Sequence, residues 1–204
     1  MSSDPMQSAE APGLAKVEAA DAAEICAHYE ASKAAKALLT AGLEPTRFLD
    51  LLVEKELFDD ALTFLSYALP TREAIWWGLR CAREVTPEDA EEPIAAALKA
   101  IQAWLDDPSD ESRRANMDAA EAATYATPAG CMALVVFFSE GSMAPADCPP
   151  VPPEKWLYAK TLSAAVNLGL VVRGQDEIAD TAHTFIGLGI EVANGPAPWE
   201  EAKA

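Results

Sequence analysis

Apolar residues recur at three- and four-residue spacing through most of the chain, the period of helices that bury one face. Asp21 followed by Glu24 has capping-box spacing and predicts a first helix carrying Ile25, Cys26 and Tyr29. Ser32 caps a short second helix through Leu39, which Gly42 ends. Pro45 opens a third, with Phe48, Leu49, Leu52 and Val53 on one face. Residues 58–69 follow with Ala61, Leu62, Leu65 and Ala68 as their stripe, and Pro70 separates them from a helix over 71–85. Pro87 opens a longer helix whose stripe is Ile94, Ala97, Leu98, Ile101, Trp104 and Leu105, with Pro93 in or near its first turn or else kinking it. Ser109 or Asp110 caps a helix to about Tyr125, and Thr127-Pro128 opens a very apolar one through Phe138, expected at the centre of the core. The Gly/Pro-rich stretch 139–153 cannot be regular structure. Two helices, 154–172 and 176–192, complete the pattern.

The fold class is therefore all-α, with roughly nine helices on short connections. No fixed-period self-similarity is present, which favours a compact bundle. A helical-repeat-like stack of αα-hairpins is the alternative. The domain runs over 21–194, with the loop at 139–153, a flexible acidic tail at 1–20 and a second flexible tail at 195–204.

Composition agrees with this picture. Half of the 204 residues are apolar, only 7% are aromatic, and alanine, the best helix former, dominates the apolar set. The 15 Lys and Arg against 33 Asp and Glu give a net charge of −18. Counterion release cannot drive such a surface onto nucleic acid or an anionic membrane. The acidic clusters at 84–92 and 106–111 sit at expected helix starts, where they complement the helix dipole. Residues 1–16 carry Asp4 and Glu10 and no apolar core, so they do not read as a signal peptide. The longest apolar run, 131–138, is too short to span a bilayer. Cys26, Cys81, Cys131 and Cys148 show no paired spacing, and three lie in apolar helical patterns, as expected of a reduced cytoplasmic protein.

Candidate chemistry is sparse. His28 and His183 are the two histidines, and Cys26 and His28 point to different faces of a helix. No metal, cofactor or nucleophile motif is present. Gly187 and Gly189 lack the third glycine and the strand-to-helix setting of a phosphate loop, and read as sites of close helix packing.

The helix over 71–85 is the most informative segment. At one hundred degrees per residue, Ala74, Ile75, Trp77, Gly78, Leu79, Cys81, Ala82 and Val85 form an apolar arc. Arg72, Trp76, Arg80 and Arg83 occupy the opposite arc with Glu73 and Glu84, concentrating three of the seven arginines of an acidic chain. Arg and Trp dominate binding hot spots, which makes this arc the candidate partner-binding face. The competing reading covers Trp76 with another helix and pairs the arginines internally, on carboxylates or on the indole. Trp104 fits its helix stripe as a core residue. Trp156, after the Pro-rich stretch 149–153, is placed to close the loop onto the bundle, and the loop itself reads as a packed Ω-like segment or a binding loop.

Several segments resemble a bacterial family of small helical proteins catalogued as a domain of unknown function. They are Phe64-Leu65, the run Ala68-Leu69-Pro70-Thr71-Arg72-Glu73-Ala74-Ile75-Trp76-Trp77, and Asp107-Pro108-Ser109-Asp110-Glu111-Ser112-Arg113-Arg114. Thr127-Pro128-Ala129-Gly130 and Gly141-Ser142-Met143-Ala144-Pro145 complete the set. The resemblance spans about residues 20–194. It implies a cytoplasmic protein often associated with type VI secretion loci, and supplies no catalytic residues.

The expectation is a non-enzymatic protein that binds another protein, an adaptor or accessory chaperone whose partner is a secretion component or effector. An immunity-type acidic inhibitor of a toxin is the alternative, and an enzyme with a site assembled from scattered residues is the third.

Overall fold

A computed structural model describes residues 13–145 and 147–201, and the remainder of both expected tails lies outside them. Among the described residues the regular structure is all helical. Ten α-helices have five residues or more: α1 (Ala22–Cys26), α2 (Lys33–Leu38), α3 (Pro45–Glu54), α4 (Phe58–Ala68), α5 (Thr71–Val85), α6 (Glu92–Asp106), α7 (Asp110–Ala123), α8 (Pro128–Phe137), α9 (Leu157–Val172) and α10 (Ile178–Asn194). A 3-10 turn, Gln175–Glu177, precedes α10, and one further helical turn, α11 (Pro198–Glu201), follows it.

Helix α5 is the hub. Its apolar arc is buried as the wheel predicts, from Ala74 to Val85, and packs against α4, α6, α8, α9 and α10. In a solenoid each unit touches only its neighbours. Here α5 meets α9 and α10, far along the chain, so the compact bundle is the correct architecture. Trp77, fully buried, donates its indole N–H to Phe185 O on α10 at 2.8 Å. Gly189 makes room for that approach: a Cβ there would lie 2.9 Å from Leu65 Cδ1 and 3.2 Å from Trp77 Nε1. Gly187 was expected to serve packing as well, but a Cβ there meets nothing within 4 Å.

Several boundaries differ from expectation for local reasons. Helix α6 starts at Glu92, five residues after Pro87, because residues 87–90 form a turn closed by Ala90 N–H to Pro87 O. Pro93 then takes the first-turn position, where its missing N–H costs nothing. Helix α7 stops at Ala123 because Thr124 has φ +64°. Thr127 caps α8 by accepting from Gly130 N at 3.0 Å. Gly130 is required there, since a Cβ would lie 2.0 Å from Thr124 O.

Parts of both expected tails are folded. Leu14 is buried, its N–H donates to Thr46 Oγ1, and Lys16 N–H donates to Ala193 O beside the end of α10. At the other end Ala197 is buried and Trp199 packs against the core.

The loop at 139–153 is held by α7. Arg113 is fully buried, and its guanidinium donates to Phe137 O at 2.6 Å, Ser142 O at 2.9 Å and Asp110 Oδ1 at 2.6 Å. Arg114 donates to Ala144 O at 2.7 Å and to the other Asp110 oxygen. The two arginines hold the Asp110 carboxyl below its ordinary pKa. Ser142 Oγ accepts from Ala144 N and Val151 N, and Met143 N–H donates to Val151 O, so the loop closes on itself. Gly141 has φ +68°, and a Cβ on it would meet the Arg113 guanidinium at 3.0 Å. The packed-segment reading of the loop describes this geometry.

Arg113→Leu leaves two carbonyls without their donor and should lower stability by about 3 kcal/mol or more in urea denaturation. Arg113→Lys, with a point charge in place of a fork, should recover only part of that. Gly187→Ala should stabilise by up to about 1 kcal/mol as an open helix-interior position. Gly189→Ala should destabilise by about 1–3 kcal/mol because the Trp77 ring cannot yield.

Candidate functional site

The four residues of the arginine–tryptophan arc share the outer side of α5, but each arginine has an internal task. Arg72 donates to Leu105 O near the end of α6, where that carbonyl lacks a helical partner, and its guanidinium lies 4.2 Å over the Trp199 ring. Arg80 pairs with Glu191 of α10 at 2.7 Å. Arg83 donates to Gln102 of α6 at 2.9 Å, and Gln102 in turn donates to Asp106. Trp76 is half-buried against the core. The arc therefore ties α5 to α6, α10 and the C-terminal turn. The stacking partner of Arg72 is Trp199, which the sequence pattern could not supply.

A different part of the molecule forms a cleft of about 580 Å³. One wall is the arm at residues 16–19 together with the end of α1 and His28. The other is the α4–α5 junction, Tyr67 to Thr71, and the start of α9 with Trp156 and Tyr158. Pro70 forces the chain to turn between α4 and α5, which leaves Tyr67 and Thr71 facing the same space. Trp156 stacks on His28 with ring centroids 4.3 Å apart and lies 5.8 Å from Tyr67 and 6.2 Å from Tyr158. Tyr67 in turn stacks on Tyr29 at 4.9 Å.

The base and rim of the cleft differ in polarity. Tyr67, Tyr158 and Ile25 are buried, whereas His28, Glu18 and Glu24 are exposed. Burial raises the Tyr67 and Tyr158 phenols above their ordinary value, so both stay protonated at neutral pH. Thr71 and Tyr158 both line this space. The Lys16 ammonium lies 3.8 Å from Glu73, so its charge is locally matched. Lys155 Nζ lies 5.3 Å from the centroid of the Trp156 ring. Such a surface can bind flat, apolar or cationic groups, and its aromatic types are those that carry hot spots. Elsewhere, no three His, Cys, Asp or Glu side chains among the described residues gather at metal-binding distance. No helix among those residues is long and apolar enough to cross a membrane.

Residues 48–193, more than two thirds of the chain, match a family of unknown function, DUF6931. The chain belongs to this family. No curated protein and no solved structure matches it. In this member of DUF6931, the segments 107–114 and 141–145 meet, through Arg113 and Arg114 on the Ser142 and Ala144 carbonyls. The segment 68–77 supplies both the cleft wall and Trp77. The matched stretch contributes Tyr67, Trp156 and Tyr158 to the cleft, and the arm residues Lys16, Glu18, Glu24 and His28 precede it.

Sequence reasoning singled out Trp156 only as a loop neighbour and set His28 aside. Helical periodicity ranks residues within one helix and cannot show that the turn after α1 meets the start of α9. The residual signal was a cluster of aromatic residues at helix ends, where a packing stripe does not need them.

The arc residues should separate by task. Arg80→Ala should change stability by no more than about 1 kcal/mol, since its pair with Glu191 is largely solvated. Arg72→Ala should cost about 1–3 kcal/mol by removing a carbonyl donor and a guanidinium stacked on Trp199. Urea titrations followed by tryptophan fluorescence measure both.

Proposed function

We propose that this protein is a non-enzymatic, adaptor-type protein that docks a segment of a partner protein in the aromatic cleft. The observation that carries the reading is the cleft itself. Its volume is that of a ligand site, its base is buried aromatic surface, and its walls come from three separated parts of the chain. Tyr and Trp supply large contact area at low entropic cost, which suits them to holding a peptide segment. The arginine–tryptophan arc is the weaker candidate, because Arg72, Arg80 and Arg83 already hold partners within the chain. The sequence resemblance adds a setting for the reading: a cytoplasmic protein serving a bacterial secretion apparatus of the type VI kind, with one of its components or effectors as partner.

Site-specific photo-crosslinking in the native cell tests this. A photo-reactive residue at His28, on the rim of the cleft, should give one discrete adduct with another protein. The same residue at the exposed Lys99 on α6 should not. Adducts at both positions, or at neither, would remove the cleft as the docking site. Mass spectrometry of a His28 adduct tests the setting separately, since a partner unrelated to secretion would leave the adaptor role and discard the secretion assignment.

A further inference from the structure

We infer that the cleft recognises an arginine side chain of its partner, with the guanidinium held against the aromatic rings and beside the rim carboxylates. This rests on the preceding reading that the cleft docks a protein segment, and names the chemistry of what enters it.

Three observations converge. The rings of Trp156, Tyr67, Tyr158 and His28 surround one open space, and the negative faces of indole and phenol attract a cation within about 6 Å. The chain's own Lys155 shows the same attraction, with its ammonium 5.3 Å from the Trp156 centroid. The carboxylates are the second observation. Glu18 and Glu24 both line the cleft, and among the described residues neither is in an ion pair, whereas Lys16 is beside Glu73. Lys155, beside the Trp156 ring, offsets one of these two carboxylates, so the charge left over around the cleft is one negative, in a molecule whose net charge is −18.

Geometry then favours arginine over lysine. A guanidinium is planar, so it stacks on a ring while its edge N–H groups reach oxygen acceptors, and it sheds water more readily than an ammonium. The protonated Tyr67 and Tyr158 hydroxyls and the rim carboxylates supply such acceptors. Elsewhere in this molecule, Arg72 over Trp199 at 4.2 Å is an arrangement of the same kind, with its Nη2 donating to a carbonyl.

The test uses the full chain and a short peptide alternating glycine and arginine, against the same peptide with citrulline, the neutral isostere of arginine. Binding is followed by calorimetry at two salt concentrations. The wild-type chain should prefer the arginine peptide by about ten-fold or more, and Trp156→Leu, which leaves the net charge unchanged, should remove most of that preference. Because Trp156 packs against the core, a second variant guards against a folding defect. Glu18→Gln with Glu24→Gln, both exposed, should weaken the arginine peptide about five-fold. Asp118→Asn with Glu121→Gln, an equal charge change on α7, should not. Equal binding by Trp156→Leu, or equal weakening by the α7 pair, would show general attraction to an acidic surface and overturn the inference. Equal affinity for the two peptides, lost together in Trp156→Leu, would overturn the arginine assignment and leave the docking cleft standing. Binding of neither peptide would overturn the assignment as well, and the crosslink at His28 would still judge the cleft.

Discussion

The indole N–H of Trp77 is fully buried, and its partner is a backbone carbonyl on α10 more than a hundred residues later in the sequence. That requirement fixes α5 and α10 in register. Gly189 is the local condition for it, since any side chain there would push the ring away from its acceptor. With α5 pinned on its apolar side, its polar arc must face α6 and the end of α10, and its first residue must stand at the α4–α5 corner. The arc and the α4–α5 corner of the cleft both follow from the burial of one helix.

Arginine has an unusual use in this acidic chain. Four of its seven arginines (Arg72, Arg113, Arg114 and Arg173) donate to backbone carbonyls. Leu105, Phe137 and Glu84, three of the residues whose carbonyls accept, lie in the last turns of α6, α8 and α5. The last carbonyls of a helix have no intrahelical donor and carry the negative end of its dipole, so a fixed cation answers both needs. Arg113 is the extreme case. It is fully buried, its one carboxylate partner is largely exposed, and the remaining donors go to carbonyls. The chain carries a surplus of carboxylates, while its few guanidinium groups organise helix ends and a loop.

The aromatic cleft arises from pieces that have no common periodicity. The arm at residues 16–19, the turn carrying His28, the corner at Pro70 and the first residues of α9 are brought together by contacts of α1 and α9 with α4. Trp156 lies outside any helix stripe because it precedes the first residue of α9 and is held by ring contacts with His28 and Tyr67. DUF6931 membership covers only one wall of this cleft, and the arm that forms the other precedes the matched stretch.

By itself the sequence determined the helices and the face each buries, because both depend on residues three and four apart. The apolar arc of α5, a cap at Ser109 or Asp110 and the start of α8 at Thr127-Pro128 are local consequences of this kind, and the structure selects Ser109 and puts Pro93 in the first turn of α6. Tertiary structure decided what the polar residues do. Whether Arg72 faces a partner or a carbonyl, whether Gly187 or Gly189 is under pressure, and whether His28 meets Trp156 depend on which helix lies opposite. That choice is made by the sum of many weak apolar contacts across the whole chain, and no short-range pattern encodes it.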